Sequence, residues 1–70
     1  MTATRKDARD AAYYYELARA AARIYEAILA GPLPQDLVPQ YEAGRDACLR
    51  LARYWLKELE ERLQTLRDAA

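Results

Sequence analysis

The sequence contains no serine, histidine, asparagine or phenylalanine, and it has a single cysteine, Cys48. Without serine and histidine the chain cannot assemble a hydrolytic triad, and without imidazole it lacks a common zinc ligand. One cysteine excludes an intrachain disulfide and a multi-thiolate metal site, and a lone thiol is typical of a reducing compartment. We therefore expect no metal, no cofactor and no enzymatic activity of the chain's own.

Net charge is also lacking, because 11 basic residues balance 11 acidic ones. No overall field therefore favours nucleic acid or an anionic membrane. The longest stretch without charge, from Ala27 to Gln35, is interrupted by glycine and proline, whereas a membrane-spanning helix needs about 20 apolar residues. The charged N-terminal segment lacks the apolar core of a signal peptide. We expect a cytoplasmic protein without membrane association.

Helix-forming residues dominate what is present, chiefly Ala, Leu, Arg and Glu. Thr4 and Asp7 have the spacing of a capping box, which predicts a helix start. Gly31 followed by Pro32 predicts its end, because glycine can adopt the left-handed conformation and proline cannot continue the helix. The first helix is therefore predicted over about residues 5–30.

A proline-rich connector is predicted over residues 31–38, followed by a long second helix over about residues 39–68. Gly44 lies inside that helix, where glycine costs about 1 kcal/mol relative to alanine. This cost indicates either a close approach of another backbone or a neutral accident. The predicted fold is a single all-α domain: an antiparallel two-helix hairpin that completes a helical bundle by oligomerisation or by docking on a partner.

Apolar residues recur at alternating intervals of three and four in both predicted helices, which is the spacing of a heptad repeat. The stripe of the first helix comprises Ala11, Tyr15, Ala18, Ala22, Tyr25 and Leu29, widened by Ala21, Ile24 and Ile28. The stripe of the second helix comprises Leu49, Ala52, Leu56, Leu59, Leu63 and Leu66, widened by Cys48, Leu51 and Trp55. Both stripes are broader than a two-stranded coiled coil needs.

Three consecutive tyrosines support the prediction of a partner. Helical residues step by about 100°, so Tyr13 points about 200° away from Tyr15. Both rings cannot be buried within one hairpin, and a chain this small buries only about 60% of its unfolded surface. The predicted partner or oligomer interface comprises Tyr13, Tyr14, Tyr15, Ala18, Ala22, Tyr25, Leu29, Leu49, Ala52, Trp55, Leu56, Leu59, Leu63 and Leu66.

A basic cluster with one aromatic residue lies in the second helix at Arg50, Arg53, Tyr54 and Lys57. Basic residues beside a tyrosine can neutralise phosphates and stack on the bases of single-stranded nucleic acid. The balanced net charge argues against strong binding of this kind. The alternative interpretation is a solvated or partner-facing surface.

The connector and the second helix contain three short motifs. They are a Gly-x-Leu-Pro connector at Gly31, Leu33 and Pro34, an aromatic-Glu-x-Gly step at Tyr41, Glu42 and Gly44, and a Glu-x-Arg-Leu-x-x-Leu run at Glu60, Arg62, Leu63 and Leu66. In these motifs and in its size the chain resembles the small subunit of exodeoxyribonuclease VII.

This resemblance implies a non-catalytic subunit. Small subunits of this family bind the extended helical region of the large subunit and support its degradation of single-stranded DNA to oligonucleotides, while the nuclease chemistry belongs to the large subunit. We therefore expect an accessory subunit that packs on a larger helical partner. The alternative is a homo-oligomeric helical-bundle scaffold or regulator without a nuclease link.

Overall fold

The computed structural model describes residues 4–69, which form two long helices and no strand. Helix α1 spans Arg5–Ala30, a short 3-10 turn spans Gln35–Leu37, and helix α2 spans Val38–Ala69. The helices are antiparallel, because Tyr14 stacks on Trp55 at one level and Tyr25 meets Tyr41 at another. The predicted all-α hairpin is confirmed, and the completion of a bundle by further chains stays a prediction.

Helix α1 begins with the predicted capping box. The backbone N–H of Asp7 donates to Thr4 Oγ1 at 3.1 Å, and the backbone N–H of Thr4 donates to Asp7 Oδ2 at 2.8 Å. These two hydrogen bonds satisfy backbone donors that have no partner inside the helix. The backbone N–H of Thr4 and its hydroxyl, which donates to Asp7 Oδ2 at 3.0 Å, stabilise the ionised carboxylate, so the pKa of Asp7 lies below the usual value for aspartate.

The end of α1 differs from its predicted geometry. Gly31 is extended, with φ −91° and ψ −178°, and does not adopt the left-handed conformation. Its backbone N–H donates to the carbonyl of Ile28 at 3.2 Å, which tightens the last turn. Because Pro32 and Pro34 each lack a backbone N–H, the connector cannot continue the helix. Proline, rather than a left-handed glycine, therefore ends α1.

Helix α2 begins directly after the 3-10 turn. The backbone N–H of Leu37 donates to the carbonyl of Pro34 at 3.0 Å and closes this turn. Pro39 then occupies the first turn of α2, where a missing N–H costs no intrahelical hydrogen bond. The second helix consequently starts at Val38, one residue before the predicted position.

Alanine dominates the contact between the helices. The buried residues among those described are Ala8, Ala11, Ala18, Ala22 and Ala52. Small side chains allow close approach but leave the larger apolar residues at the flanks, where none is fully buried. The hairpin is accordingly a thin rod with extents of 53 × 13 × 12 Å.

The contact face of α2 is rotated from the predicted stripe by less than one helical step of about 100°, so Ala52 stays buried and Leu59 stays half-buried. Cys48, Trp55 and Leu59 are half-buried, whereas Leu56 and Leu63 remain 37% and 38% exposed. Two aromatic contacts account for this rotation. Trp55 stacks on Tyr14 near the middle of α2. The ring of Tyr25 lies against Gly44 near the connector.

Candidate interaction surfaces

The hairpin has two lateral surfaces, one on each side of the alanine contact. We call the first the uncharged face, and it comprises Tyr14, Leu17, Ala21, Ile24 and Ile28 of α1 with Ala47, Leu51 and Tyr54 of α2. We call the second the groove, and it is lined by Tyr15, Arg19, Leu49, Ala52, Arg53 and Leu56. Consecutive residues such as Tyr14 and Tyr15 point to different surfaces because each helical step rotates by about 100°.

The uncharged face carries a second heptad-like repeat in α1. Its five positions are spaced 3, 4, 3, 4, which is independent of the repeat that faces α2. Leu17 is 48% exposed, Ile24 is 62% exposed and Leu51 is 51% exposed. No residue at these eight positions carries charge. Monomeric soluble proteins rarely expose large apolar side chains together in this way, and such patches are typical of interaction surfaces.

An aromatic cluster lies at one end of the uncharged face. The rings of Tyr14 and Trp55 stack with centroids 4.8 Å apart, and this pair joins the two helices. Tyr13 meets Tyr14 edge-on at 5.5 Å, and Tyr54 meets Trp55 edge-on at 5.1 Å. Stacked and edge-on pairs add roughly 0.5–1.5 kcal/mol beyond burial. The cluster therefore stabilises the hairpin and places four aromatic rings at this end of the face.

Arg62 connects the cluster to the start of α1. Its guanidinium carbon lies 5.8 Å from the centre of the Trp55 ring, which is cation–π distance. Arg62 Nη1 donates to the backbone carbonyl of Asp7 at 2.7 Å, and Nη2 lies 3.4 Å from Glu58 Oε2. No sequence pattern indicates this link, because Arg62 contacts the backbone of a residue 55 positions away.

The groove is an open depression of about 360 Å³ between the helices. Its floor is Ala52, and its apolar walls are Tyr15, Leu49 and Leu56. Arg19 projects from α1 and Arg53 from α2, and no carboxylate among residues 4–69 lies within salt-bridge distance of either. The groove thus combines apolar walls with two guanidinium groups that have no acidic neighbour in contact.

The residues of the predicted interface fall into three groups in the structure. Ala18, Ala22 and Ala52 are buried between the helices, while Tyr25, Leu29, Leu59 and Leu66 are half-buried against the opposite helix. Tyr15, Leu49 and Leu56 line the groove, and Leu63 is exposed along the same side of α2. Tyr13, Tyr14 and Trp55 belong to the aromatic cluster.

Three residues of the candidate surfaces were missed from the sequence: Leu17, Ala47 and Arg19. Ala47 precedes Leu51 and Tyr54 at the heptad spacings of four and three. Leu17 continues the repeat of Tyr14 and Ala21, and that spacing could have revealed it. Arg19 carries no such signal, because only the packing of the helices places it opposite Arg53.

The predicted basic cluster is divided between surfaces. Arg53 lines the groove, whereas the Tyr54 ring packs edge-on against Trp55 on the uncharged face. Arg50 and Lys57 are exposed on α2. The tyrosine is therefore not arranged with Arg53 as one stacking platform.

Gly44 is approached by a side chain and not by a backbone. A Cβ atom at this position would lie 2.6 Å from Cε1 and Cζ of Tyr25. The ring of Tyr25 also meets that of Tyr41, with centroids 6.0 Å apart. The backbone alternative considered from the sequence is therefore wrong, and the glycine makes room for an aromatic ring.

Comparisons with protein-family models, with curated proteins and with solved structures found no match to this chain. Within residues 4–69, neither helix is both long and apolar enough to cross a membrane. The same residues contain no cluster of three or more His, Cys, Asp or Glu side chains that could hold a metal ion.

Proposed function

We propose that this protein is a non-catalytic accessory subunit that packs its helices on a larger helical partner protein in the cytoplasm. The groove is the observation that supports this proposal most directly. It offers apolar walls for large side chains and two arginines, Arg19 and Arg53, for acidic ones. Tyrosine and arginine are enriched among the residues that dominate binding energy at protein interfaces.

The chemistry of the groove defines the partner segment. An amphipathic helix can insert an apolar side chain against Leu49 and Leu56. Carboxylates one turn before and after that side chain would then reach Arg19 and Arg53, which bind carboxylates in bidentate fashion. The proposed ligand is therefore a helix with leucine or phenylalanine flanked by glutamate or aspartate.

The short motifs of the connector and α2 suggest one class of partner. Their resemblance to the small subunit of exodeoxyribonuclease VII suggests the large subunit of a single-strand DNA exonuclease, in its extended helical region. The nuclease chemistry would belong to that large subunit. This chain would contribute packing surface and, through it, stabilise the assembled enzyme.

Co-purification with the exodeoxyribonuclease VII large subunit encoded in the same genome tests this proposal. We expect the tagged chain and the large subunit to form a stoichiometric complex. Leu56→Asp should abolish the complex, because it places a carboxylate on the apolar wall of the groove. Leu51→Asp introduces the same charge in the same helix but on the uncharged face, and it should leave the complex intact.

Two results would contradict the proposal. One is no complex between the wild-type chain and the large subunit. The other is equal retention of the complex by Leu56→Asp and by wild type, with both chains shown to be helical by circular dichroism. Loss of the complex in Leu51→Asp but not in Leu56→Asp would show that the docking site lies on the uncharged face.

A homo-oligomeric helical bundle, acting as a scaffold or regulator without a nuclease link, is the second candidate function. The uncharged face favours it, because interfaces between identical chains are more apolar than other interfaces and their centres are poor in charge. Sedimentation of the purified chain without any partner tests this candidate. A monomer at tens of micromolar concentration would reject it.

A further inference from the structure

We infer that the uncharged face binds a second copy of this chain in one particular geometry. The two hairpins lie face to face with their connectors at opposite ends, and Ala21 of one copy faces Ala21 of the other. The inference rests on the second candidate function for the existence of a homo-oligomer, and it adds the surface, the orientation and the register. It leaves the groove of each copy open to a different partner.

The exposed area of the hairpin matches the requirement of a dimer. The chain exposes 5457 Å², whereas a compact monomer of 8.0 kDa is expected to expose about 4,450 Å². The excess is about 1,000 Å². A standard stable interface buries about 800 Å² on each partner. Covering one long surface of the rod would therefore bring each chain close to the exposure of a compact protein.

The order of side-chain sizes in α1 is self-complementary. Two large residues, Tyr14 and Leu17, precede the small Ala21, and two large residues, Ile24 and Ile28, follow it. A two-fold axis at Ala21 reverses this order. It places Leu17 of one copy near Ile24 of the other and Tyr14 near Ile28, so each large side chain meets a large one around a small centre. Two-fold interfaces require this kind of self-complementarity.

Helix α2 has its own small residue at the same height. Ala21 lies seven residues after Tyr14, about 10.5 Å along α1, and Ala47 lies eight residues before Trp55, about 12 Å along α2. Because Tyr14 and Trp55 are stacked, the two alanines share one level of the hairpin. The same axis then places Leu51 of one copy over the Gly44 region of the other.

The aromatic cluster decides between the two orientations. With both connectors at the same end, the clusters of the two copies would meet and hold that end apart. With connectors at opposite ends, each cluster covers the part of the other copy nearer its connector, where the face carries no aromatic residue. The second arrangement keeps the separation of the two layers uniform, which allows close packing along the whole face. No charged side chain of this face opposes either orientation, so shape determines the choice.

Disulfide trapping tests the register. Both variants carry Cys48→Ala, and each has one new cysteine: Ala21→Cys at the proposed axis, or Ala20→Cys, which is exposed on the outer side of α1. Helix axes packed about 8–10 Å apart bring facing Cα atoms to roughly 5 Å, which a disulfide can bridge. Facing thiols have an effective concentration in the millimolar range, so with oxidised glutathione we expect Ala21→Cys to cross-link about tenfold faster than Ala20→Cys at micromolar protein.

Sedimentation of the same proteins before oxidation separates two kinds of failure. A dimer in which both variants cross-link at the same slow rate would overturn the orientation and register while leaving self-assembly standing. A monomer would overturn the inference together with the homo-oligomeric candidate function. Neither result would bear on whether the groove binds a different protein.

A second pair of variants tests the surface itself. Leu17→Asp should convert the dimer to a monomer, because it places a carboxylate beside Ile24 of the other copy. Leu56→Asp adds the same charge on the groove side of the hairpin and should leave the dimer intact. Far-UV circular dichroism establishes that both chains stay helical. A Leu17→Asp protein that remains dimeric would overturn the inference.

Discussion

The uncharged face and the groove lie on opposite sides of the same pair of helices, yet they differ in charge more than in apolar character. Both present large side chains, Leu17 and Leu51 on one side and Leu49 and Leu56 on the other. Only the groove adds guanidinium groups. Charge at the rim of an interface chiefly provides specificity for a complementary partner, whereas a charge-free centre is typical of association between identical chains.

The apolar character that the two surfaces share arises from the alanine contact between the helices. Because the buried residues are small, α1 and α2 approach closely and displace their larger residues to both flanks. A hairpin with leucine at these positions would have buried more within itself and exposed less on each side. The same choice of residues thus leaves the chain thin and leaves large apolar side chains exposed on both flanks.

Trp55→Ala should have the largest effect, because it weakens the support of both surfaces at once. Trp55 is half-buried and stacks on Tyr14, so we expect a loss of about 2 kcal/mol in the free energy of unfolding, below the full cost for a core tryptophan. Urea unfolding followed by circular dichroism at fixed protein concentration measures it. Tyr13→Ala, which removes one edge-on contact, is the control, and an equal loss in both would show that the stack contributes little.

Salt concentration should affect binding at the two surfaces differently. Between 50 mM and 500 mM NaCl, we expect the complex formed through the groove to weaken by about tenfold, because Arg19 and Arg53 bind carboxylates at a partly exposed site. The dimer formed through the uncharged face should not weaken. Titrations at both salt concentrations measure the two affinities. Replacement of both arginines by glutamine should remove most of the salt dependence, and its persistence would locate the charge contacts elsewhere.

Local signals in the sequence were sufficient to predict the fold. The capping box at Thr4, the prolines of the connector and the heptad spacing each act over a few residues, and together they define two helices and their approximate ends. A connector of seven residues, 31–37, leaves antiparallel packing as the direct arrangement. The hairpin therefore follows from short-range rules.

The rotation of α2 did not follow from those rules. It depends on which side chains fit against each other across the hairpin. That information lies in pairs such as Trp55 with Tyr14, which are 41 positions apart. A rotation of less than one helical step moves Leu56 and Leu63 from the predicted contact to the flank. For the same reason, the groove arginine Arg19 could not be found by reading α1 alone.

Gly44→Ala tests whether the contact of the Tyr25 ring with Gly44 holds α2 in this rotation. The new Cβ atom would lie 2.6 Å from the Tyr25 ring, so the ring must move and lose its contact with Tyr41. In the wild-type background we expect this loss to cancel the helix-propensity gain of about 1 kcal/mol, and in a Tyr25→Ala background the full gain should appear. A double-mutant cycle measured by urea unfolding gives the coupling energy. Equal effects in both backgrounds would show that Tyr25 does not constrain α2 at Gly44.

The smallest expected effect is the pH dependence of stability that arises at the start of α1. This segment supports both surfaces equally. Hydrogen bonds from the backbone and side chain of Thr4, followed by the nearby charge of Arg62, lower the pKa of Asp7 in the folded chain. Because the folded value lies below the unfolded one, this contribution to stability is complete above about pH 5 and is lost as the pH falls through the folded value. Carbon-detected NMR titration should show a low pKa for Asp7 that rises toward the usual aspartate value in Thr4→Ala. The acid dependence of unfolding should correspondingly be weaker in Asp7→Asn, and an Asp7 that titrates normally in the wild-type chain would show that the capping box is not formed in solution.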